Sequence, residues 1–329
     1  MMNENLYRLI VDYQSKVQMV LKLMYRSGIQ MPSSSYDWIE YNIPISGELD
    51  GGIKYYKHGS GCQVDLGSEI VDFDFGEHGE VGAFNSWWLA KFAGKNLYKY
   101  GFKSHDDIYT HLNTELNHGN ITPLNNNLYY ITNVPFKFAL EIDTRNPGDK
   151  LPSRNHDRVL TLQLHYFETA ELMFKNYNKT KQKMNRNGKL TYRDKFEMRI
   201  YISTWLGFLG VVCEGFRKLN MRIVLNKERP SEFKELTPVS DRIGKLMKEH
   251  SDSLRIFRNN VFHLREDNEH VHLFFHDEVD RLQWAHELHI MLSDFFSKYQ
   301  YFCEVHYVIN GRIGESNLVK KKLIHKNKL

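Results

Sequence analysis

Three side chains of complementary chemistry, Arg258, Asn259 and His263, stand within six positions in the run DSLRIFRNNVFHLRED, residues 252–267. Arginine stays charged at physiological pH, and its planar fork matches phosphate oxygens. Histidine, with an ordinary pKa of about 6.5, can both accept and release a proton near neutrality. Asparagine can hydrogen-bond either partner. Such a set suits a reaction in which a cation steadies a phosphate while an imidazole moves a proton. At roughly 100° per residue on a helix, Leu254, Phe257, Val261 and Leu264 share a stripe about 80° wide that faces a core. Arg255, Asn259 and His263 fall on nearly the opposite side, with Arg258 and Phe262 flanking them on one edge and Ile256 on the other. A solvated face should not carry Phe262 and Ile256 on both sides of a polar ridge. A second buried surface, such as a subunit interface, is therefore expected along it. The competing reading is that Arg258 and His263 only end the helix, where cations are favoured.

The elements that must position this set are legible from periodicity. Residues 6–24 place Leu6, Ile10, Tyr13, Val17, Leu21 and Met24 at helical spacing. A glycine-rich stretch follows, predicting strands at 53–57, 62–66 and 70–75 with a tight turn at Gly59–Gly61. Residues 86–93 and 106–116 read as helices, and 128–132 and 136–142 as short β-like runs. The polar segment 144–155, with Pro147, Gly148 and Pro152, is the best linker. Beyond it the pattern changes to long helices over 158–177, 192–219, 231–250, 252–264 and 279–301. The expected organisation is an α+β accessory or sensor domain (1–143), a linker (144–155), an all-α helical bundle (156–310) and a basic tail (311–329).

The string Arg258-Asn259-Asn260-Val261-Phe262-His263 resembles the R-x4-H signature of HEPN (higher eukaryote and prokaryote nucleotide-binding) ribonucleases, with the likeness covering roughly residues 158–301. In that family the motif sits late in a small helical bundle, and two copies meet across a dimer. The resemblance therefore implies a HEPN-like bundle, a homodimer, and RNA as substrate. RNA is cut there by its own 2′-hydroxyl attacking the adjacent phosphate. One histidine would act as base and its counterpart as acid, Arg258 would bind the crowded phosphate, and Asn259 would orient His263 from one helical turn away or hydrogen-bond the phosphate itself. Arg255 and Arg265 are weaker candidates for RNA contact, since exposed ion pairs are the better account of them. This chemistry needs no metal or cofactor, and DNA, which lacks the 2′-hydroxyl, would be inert. A toxin or anti-phage defence role, with a regulatory or neutralising protein as possible partner, rests on the resemblance alone. Members that only bind make a non-catalytic dimerisation adaptor the alternative.

Composition agrees without deciding. The 329 residues suffice for two domains, and a 41% apolar content with 19 tyrosines and 20 phenylalanines excludes disorder as the main state. Residues 1–150 hold 13 Lys/Arg against 18 Asp/Glu; of the chain's 44 and 40, the remainder holds 31 and 22. A basic half joined to an acidic half suits a polyanion-binding module attached to something else. Three scattered cysteines, Cys62, Cys213 and Cys303, form no disulfide framework and fit a cytoplasmic setting. No signal peptide is evident, and the most apolar run, residues 200–213, falls short of the roughly 20 residues of a membrane span. It reads as part of a buried helix, 192–219, in which Gly207, Gly210 and Gly215 permit close packing. P-loop, G-x-G-x-x-G, H-E-x-x-H and nucleophile-elbow motifs are absent.

Two other groups invite a chemical reading. The segment HGSGCQVDLGSEIVDFDFGEHGE resembles an uncharacterised bacterial domain family built on H-G-x-G-C-x-V and V-D-F-D-F-G, over about residues 6–118. Asp72 and Asp74 share one strand face, with His58, Cys62 and His78 near in sequence, which is a conceivable metal set. An edge strand with its acids in solvent is the favoured account. The histidines His270, His272, His276, His286 and His289 are dense, but no cysteine pair or supporting acid pattern speaks for zinc, and His286 and His289 share a stripe with Leu282 and Phe296, which favours core or interface packing.

Overall fold

Helix α1 (Glu4–Arg26) starts on Asn3, whose side chain accepts the Leu6 N–H at 3.1 Å. Its stripe of Leu6, Ile10, Tyr13, Val17, Leu21 and Met24 is fully buried, as the spacing predicts. The structure, a computed structural model, describes residues 2–124, 128–263, 274–275 and 280–318. By internal contacts the chain divides into two units, Met1–Arg145 with His306 onward, and Asn146–Val305.

In the first unit a four-stranded antiparallel meander, β1 (Ser46–Leu49), β2 (Ile53–His58), β3 (Gly61–Asp65) and β4 (Ile70–Asp74), packs one face against α1. Period-two alternation sends Tyr55, Cys62, Val64, Val71 and Phe73 into that core. The Tyr13 hydroxyl donates to the Asp72 carbonyl at 2.6 Å and so ties the helix to the strand. In register, His58 pairs with Gly61, and Gln63 with Asp72, which places Tyr56, His58, Gln63, Asp72 and Asp74 on the other face. Short helices α2 (Ser35–Glu40), α3 (Ser86–Ala93) and α4 (His105–Asn117) and two two-stranded ladders complete the unit. The ladders pair β5 (Glu80–Val81) with β8 (Lys137–Phe138), and β6 (Ile121–Pro123) with β7 (Tyr129–Ile131).

The second unit is helical. Helix α5 (Arg158–Thr161) runs through a π-helical turn (Leu162–Phe167) into α6 (Glu168–Asn187). Then come α7 (Tyr192–Lys218), α8 (Met221–Lys227), α9 (Thr237–Phe262) and α10 (Arg281–Ile309), whose residues from His306 group with the first unit. A capping box between Thr191 and Asp194 opens α7. Helix α7 is long and apolar enough by length and composition to cross a membrane. Here Trp205, Leu206, Leu209, Val212 and Phe216 bury one of its faces within the unit. Each glycine of α7 meets a side chain at close range: Gly207 faces the Phe262 ring, Gly210 Arg258, and Gly215 Leu162.

An α+β region followed by a helical one is therefore present, with several boundaries moved. The expected helices over 231–250 and 252–264 merge from Thr237 on into one element, α9, kinked at His250, where φ is −138°, while Ser231–Leu236 form a 3-10 segment before it. Pro238 sits in its first turn, where no N–H is needed. The expected linker is not loose, because Thr144 and Leu151 are fully buried. Nor is the start of the expected tail: Arg312 and Glu315 form a buried bidentate ion pair at 2.7 and 2.9 Å, and Thr144 donates to Glu315. The tail from residue 319 lies outside the described residues.

Candidate active site

Arg258 projects from α9 toward α7, and the glycine opposite allows it to. A Cβ at Gly210 would come within 3.2 Å of the Arg258 Cβ. The guanidinium is held from two sides. Nη1 donates to Glu214 Oε2, while Nε and Nη2 donate to Asn259 Oδ1 at 3.2 and 2.8 Å. Glu214 also accepts from Lys218 at 2.8 Å, and hydrogen bonds from Lys218 and Arg258 hold its carboxyl down at about 2. The Arg258 side chain is 19% exposed, so the fork is fixed yet reachable. It lines, with Arg255, a cavity of about 610 Å³ among α7, α8 and α9.

His263 does not continue the helix. Its φ and ψ of −127° and 138° are extended, and its N–H makes the last helical bond, to the Asn259 carbonyl at 3.1 Å. This corrects the sequence expectation in two respects. His263 leaves the ridge shared by Arg255 and Asn259, and the Asn259 side chain orients Arg258 rather than His263. The imidazole is exposed at the end of the helix. Arg255 is half-exposed and lies 3.6 Å from Asp252, while Arg265 falls outside the described residues. Leu254 and Phe257 are fully buried as the stripe predicts, whereas Ile256 and Phe262 are 36% and 43% exposed. Phe262 packs edge-on against Phe208 with centroids 5.3 Å apart. Glu214 escaped the sequence reading; its one signal is an acid embedded in the apolar run of α7, one turn before Lys218.

A second polar cluster occupies the outer sheet face of the first unit. His58 Nε2 and Asp72 Oδ1 are 2.8 Å apart, and Lys91 Nζ donates to Asp72 Oδ2 at 2.7 Å and to Gln63 Oε1 at 2.5 Å. Asp72 is thus buried and paired, not in solvent as alternation suggested. Lys91 was missed, although a lone lysine in the apolar helix SWWLAKFA was the available signal. Cys62 points to the opposite face, its thiol pushed up to about 12 by burial, and His78 is exposed with its N–H on Glu80. No group of three or more His, Cys, Asp or Glu with metal-binding geometry occurs among the described residues.

The hydrogen bond that the His58 ring donates to the Asp72 carboxylate raises the His58 pKa. Burial pushes the Asp72 carboxyl up, but His58 and Lys91 outweigh it and hold it below the usual range. Burial raises that of Asp74. A raised imidazole contributes stability that is complete below its unfolded value, about 6.5, and is lost as pH rises through the folded one. The depressed Asp72 contributes above its unfolded value, about 3.9, and loses this as pH falls through the folded one. The pair is therefore expected to stabilise most between about pH 4 and 6.5. Proton NMR of the His58 ring checks this: its midpoint should lie above about 6.5 in the wild type and fall in Asp72→Asn. An unchanged midpoint would remove Asp72 as the cause.

His289 is a core residue, 1% exposed. The Trp205 indole, which only donates, gives its proton to Nδ1 at 3.2 Å, so the neutral ring donates from Nε2 to Glu171 at 2.6 Å. Burial lowers its pKa. His270, His272 and His276 lie outside the described residues.

These features define an α+β unit with a part-buried His–Asp–Lys cluster, and a helical unit with an arginine-lined cleft. A family model described as a domain of unknown function (DUF6896) matches residues 6–131, a stretch that holds His58, Asp72 and Lys91. No curated protein and no solved structure matches the chain.

Proposed function

We propose that the chain is a metal-independent endoribonuclease of the HEPN kind, working as a homodimer. The observation that carries this reading is Arg258 itself: a guanidinium fixed by Asn259 and Glu214 on the wall of a cleft, with an exposed histidine ending the same helix. A planar cation already oriented can meet the non-bridging oxygens of a phosphate without reorganising. His263 of one protomer would take the 2′-hydroxyl proton, and that oxygen would attack the adjacent phosphorus. The 5′-oxygen would leave with a proton from the second protomer's copy of the imidazole, giving a 2′,3′-cyclic phosphate and a 5′-hydroxyl. The half-exposed Ile256 and Phe262 suit burial in the required subunit seam. A toxin or defence role, with the α+β unit as its trigger and a neutralising protein as partner, extends the same family reading.

A non-catalytic adaptor is favoured by one observation, the Arg258–Glu214 ion pair, because a neutralised guanidinium offers a phosphate less. The two readings separate on one experiment. Purified protein incubated with total bacterial RNA and a chelator should yield fragments with 2′,3′-cyclic or 3′-phosphate and 5′-hydroxyl ends, and leave DNA of matching sequence intact. Intact RNA throughout would favour the adaptor; cleavage only after adding a divalent cation would overturn the proposed chemistry.

A further inference from the structure

We infer that the hairpin tip of α6 and α7, residues 178–204, docks the chain peripherally on a surface of anionic phospholipid. The tip is a defined structure. Gly188, at φ +67°, ends α6 with its N–H on the Met184 carbonyl at 2.9 Å, and the Thr191–Asp194 capping box then opens α7. Yet no residue from 178 to 204 is buried, although Tyr177 and Trp205 at its base are. Along this uncovered arm Tyr192, Phe196 and Ile200 stand one turn apart on α7, 89%, 50% and 44% exposed. At about 100° per residue they form a stripe about 80° wide, with Lys195 and Arg199 along one edge and Arg193 along the other. A continuous exposed apolar stripe marks a surface that meets something.

Charge says what it meets. Residues 178–204 hold eight Lys/Arg against two Asp/Glu. Both acids are already engaged, Asp194 by Lys183 and Glu197 by Arg193, each at 2.8 Å. Lys179, Lys181, Arg186, Lys189, Lys195 and Arg199 have no acidic partner among the described residues. Beside the turn a groove of about 460 Å³ is lined by Met184, Leu190, Met198 and Ile202, with Lys195 and Arg199 on its wall. Aliphatic lining and cationic wall together suit an amphiphile, with acyl carbon on the methionines and phosphate on the cations. The cations can lay their stems along the stripe while their heads stay among phosphates. Tyr192 and Phe196 fit the headgroup boundary, where a ring meets apolar and wet surroundings at once. Nucleic acid would use the cations and the rings, but gains nothing from an aliphatic groove or from Ile200. A second copy's arm would set like charge against like, with six unbalanced cations on each.

The inference does not rest on the ribonuclease reading, because Arg258 and His263 lie outside the arm. Sedimentation of the full-length protein with vesicles tests it, using phosphatidylcholine alone and with about one third phosphatidylglycerol. Binding to the anionic vesicles is expected to be at least about tenfold tighter than to the neutral ones, and to fall at high salt. Tyr192→Ser with Phe196→Ser should weaken it at least about tenfold. The melting temperature of that variant should stay within a few degrees of wild type, because both rings are exposed. Tyr192→Trp with Phe196→Trp should keep the binding. Lys195→Ala with Arg199→Ala should weaken it as much as the serine pair and flatten its salt dependence. His263→Ala should abolish RNA cleavage yet leave vesicle binding unchanged, so the two proposals fail separately. Equal binding to both kinds of vesicle, or binding to neither, would overturn the assignment. So would a serine pair that keeps vesicle binding but loses affinity for single-stranded RNA or ceases to self-associate, which would give the face to RNA or to a second copy.

Discussion

His263→Ala is expected to lower RNA cleavage at pH 7 by about 10²–10⁴-fold, the usual contribution of a positioned acid–base group. Arg258→Ala should cost about 10²–10³-fold, by analogy with the loss of one preorganised donor at a developing negative charge. Arg258→Lys should recover little, because an ammonium lacks the fork that Asn259 and Glu214 hold in plane. If the groups act as a unit, the double variant should be scarcely worse than His263→Ala alone. Two further readouts separate chemistry from structure. The wild-type rate should follow a bell-shaped pH profile, since one imidazole must be neutral and its counterpart protonated, and His263→Ala should lose that shape. Its melting temperature should stay within a few degrees of wild type, because His263 is exposed and its hydrogen bond to α9 is made by the backbone, which alanine keeps. Undiminished cleavage by His263→Ala would place the active site elsewhere. Equal loss of cleavage and of RNA binding would reduce His263 to a contact.

What the sequence revealed depended on how far each decision was local. Helix α7 was legible to within a residue because Thr191 and Asp194 cap it and because its apolar run is long. The strands β2, β3 and β4 were legible because β-formers alternate between turn residues. Strand β1 was not, since SGEL has almost no β-propensity and is held by its pairing with β2. Likewise α8 is too short for a periodic signature, and the π-turn before α6 leaves no mark in residue type. The segment from 144 to 155 has the composition of a linker, yet Thr144 and Leu151 are buried by tertiary contacts that composition does not encode. At the candidate site the residue types and the buried stripe were readable, but the end of α9 was not. Nothing in NVFHLRED breaks a helix, so His263 was placed one turn above Asn259 on a face that the backbone abandons at Phe262. Asp72 shows the same limit from the other side: alternation sent it outward correctly, and only the fold brought Lys91 and His58 over it.

The largest expected loss of stability lies at a buried cluster no local pattern announced. Asp157, Arg229 and Tyr299 are 0%, 6% and 0% exposed. Arg229 Nη2 donates to Asp157 Oδ1 at 2.9 Å and Nε to the Tyr299 hydroxyl at 2.6 Å, and that hydroxyl donates to Asp157 Oδ2 at 2.7 Å. Asp157 also caps α5, accepting the Val159 N–H at 2.8 Å. Arg229→Met should therefore destabilise by about 3–5 kcal/mol, because it strands a buried carboxylate rather than merely deleting a contact. Adding Asp157→Asn should restore part of that loss, since asparagine removes the unpaired charge and still caps the helix. Tyr299→Phe should cost less than Arg229→Met, the ion pair surviving it. Denaturant unfolding of the three variants measures each term. A double variant less stable than Arg229→Met would mean that Asp157 acts through its cap and its neighbours and not through its charge. A loss below about 1 kcal/mol for Arg229→Met would mean that water reaches the carboxylate, as at a surface pair. The expected order, with the single arginine variant worst, follows only if desolvation governs the cluster, and the cost of leaving one charge alone exceeds the value of the pair itself.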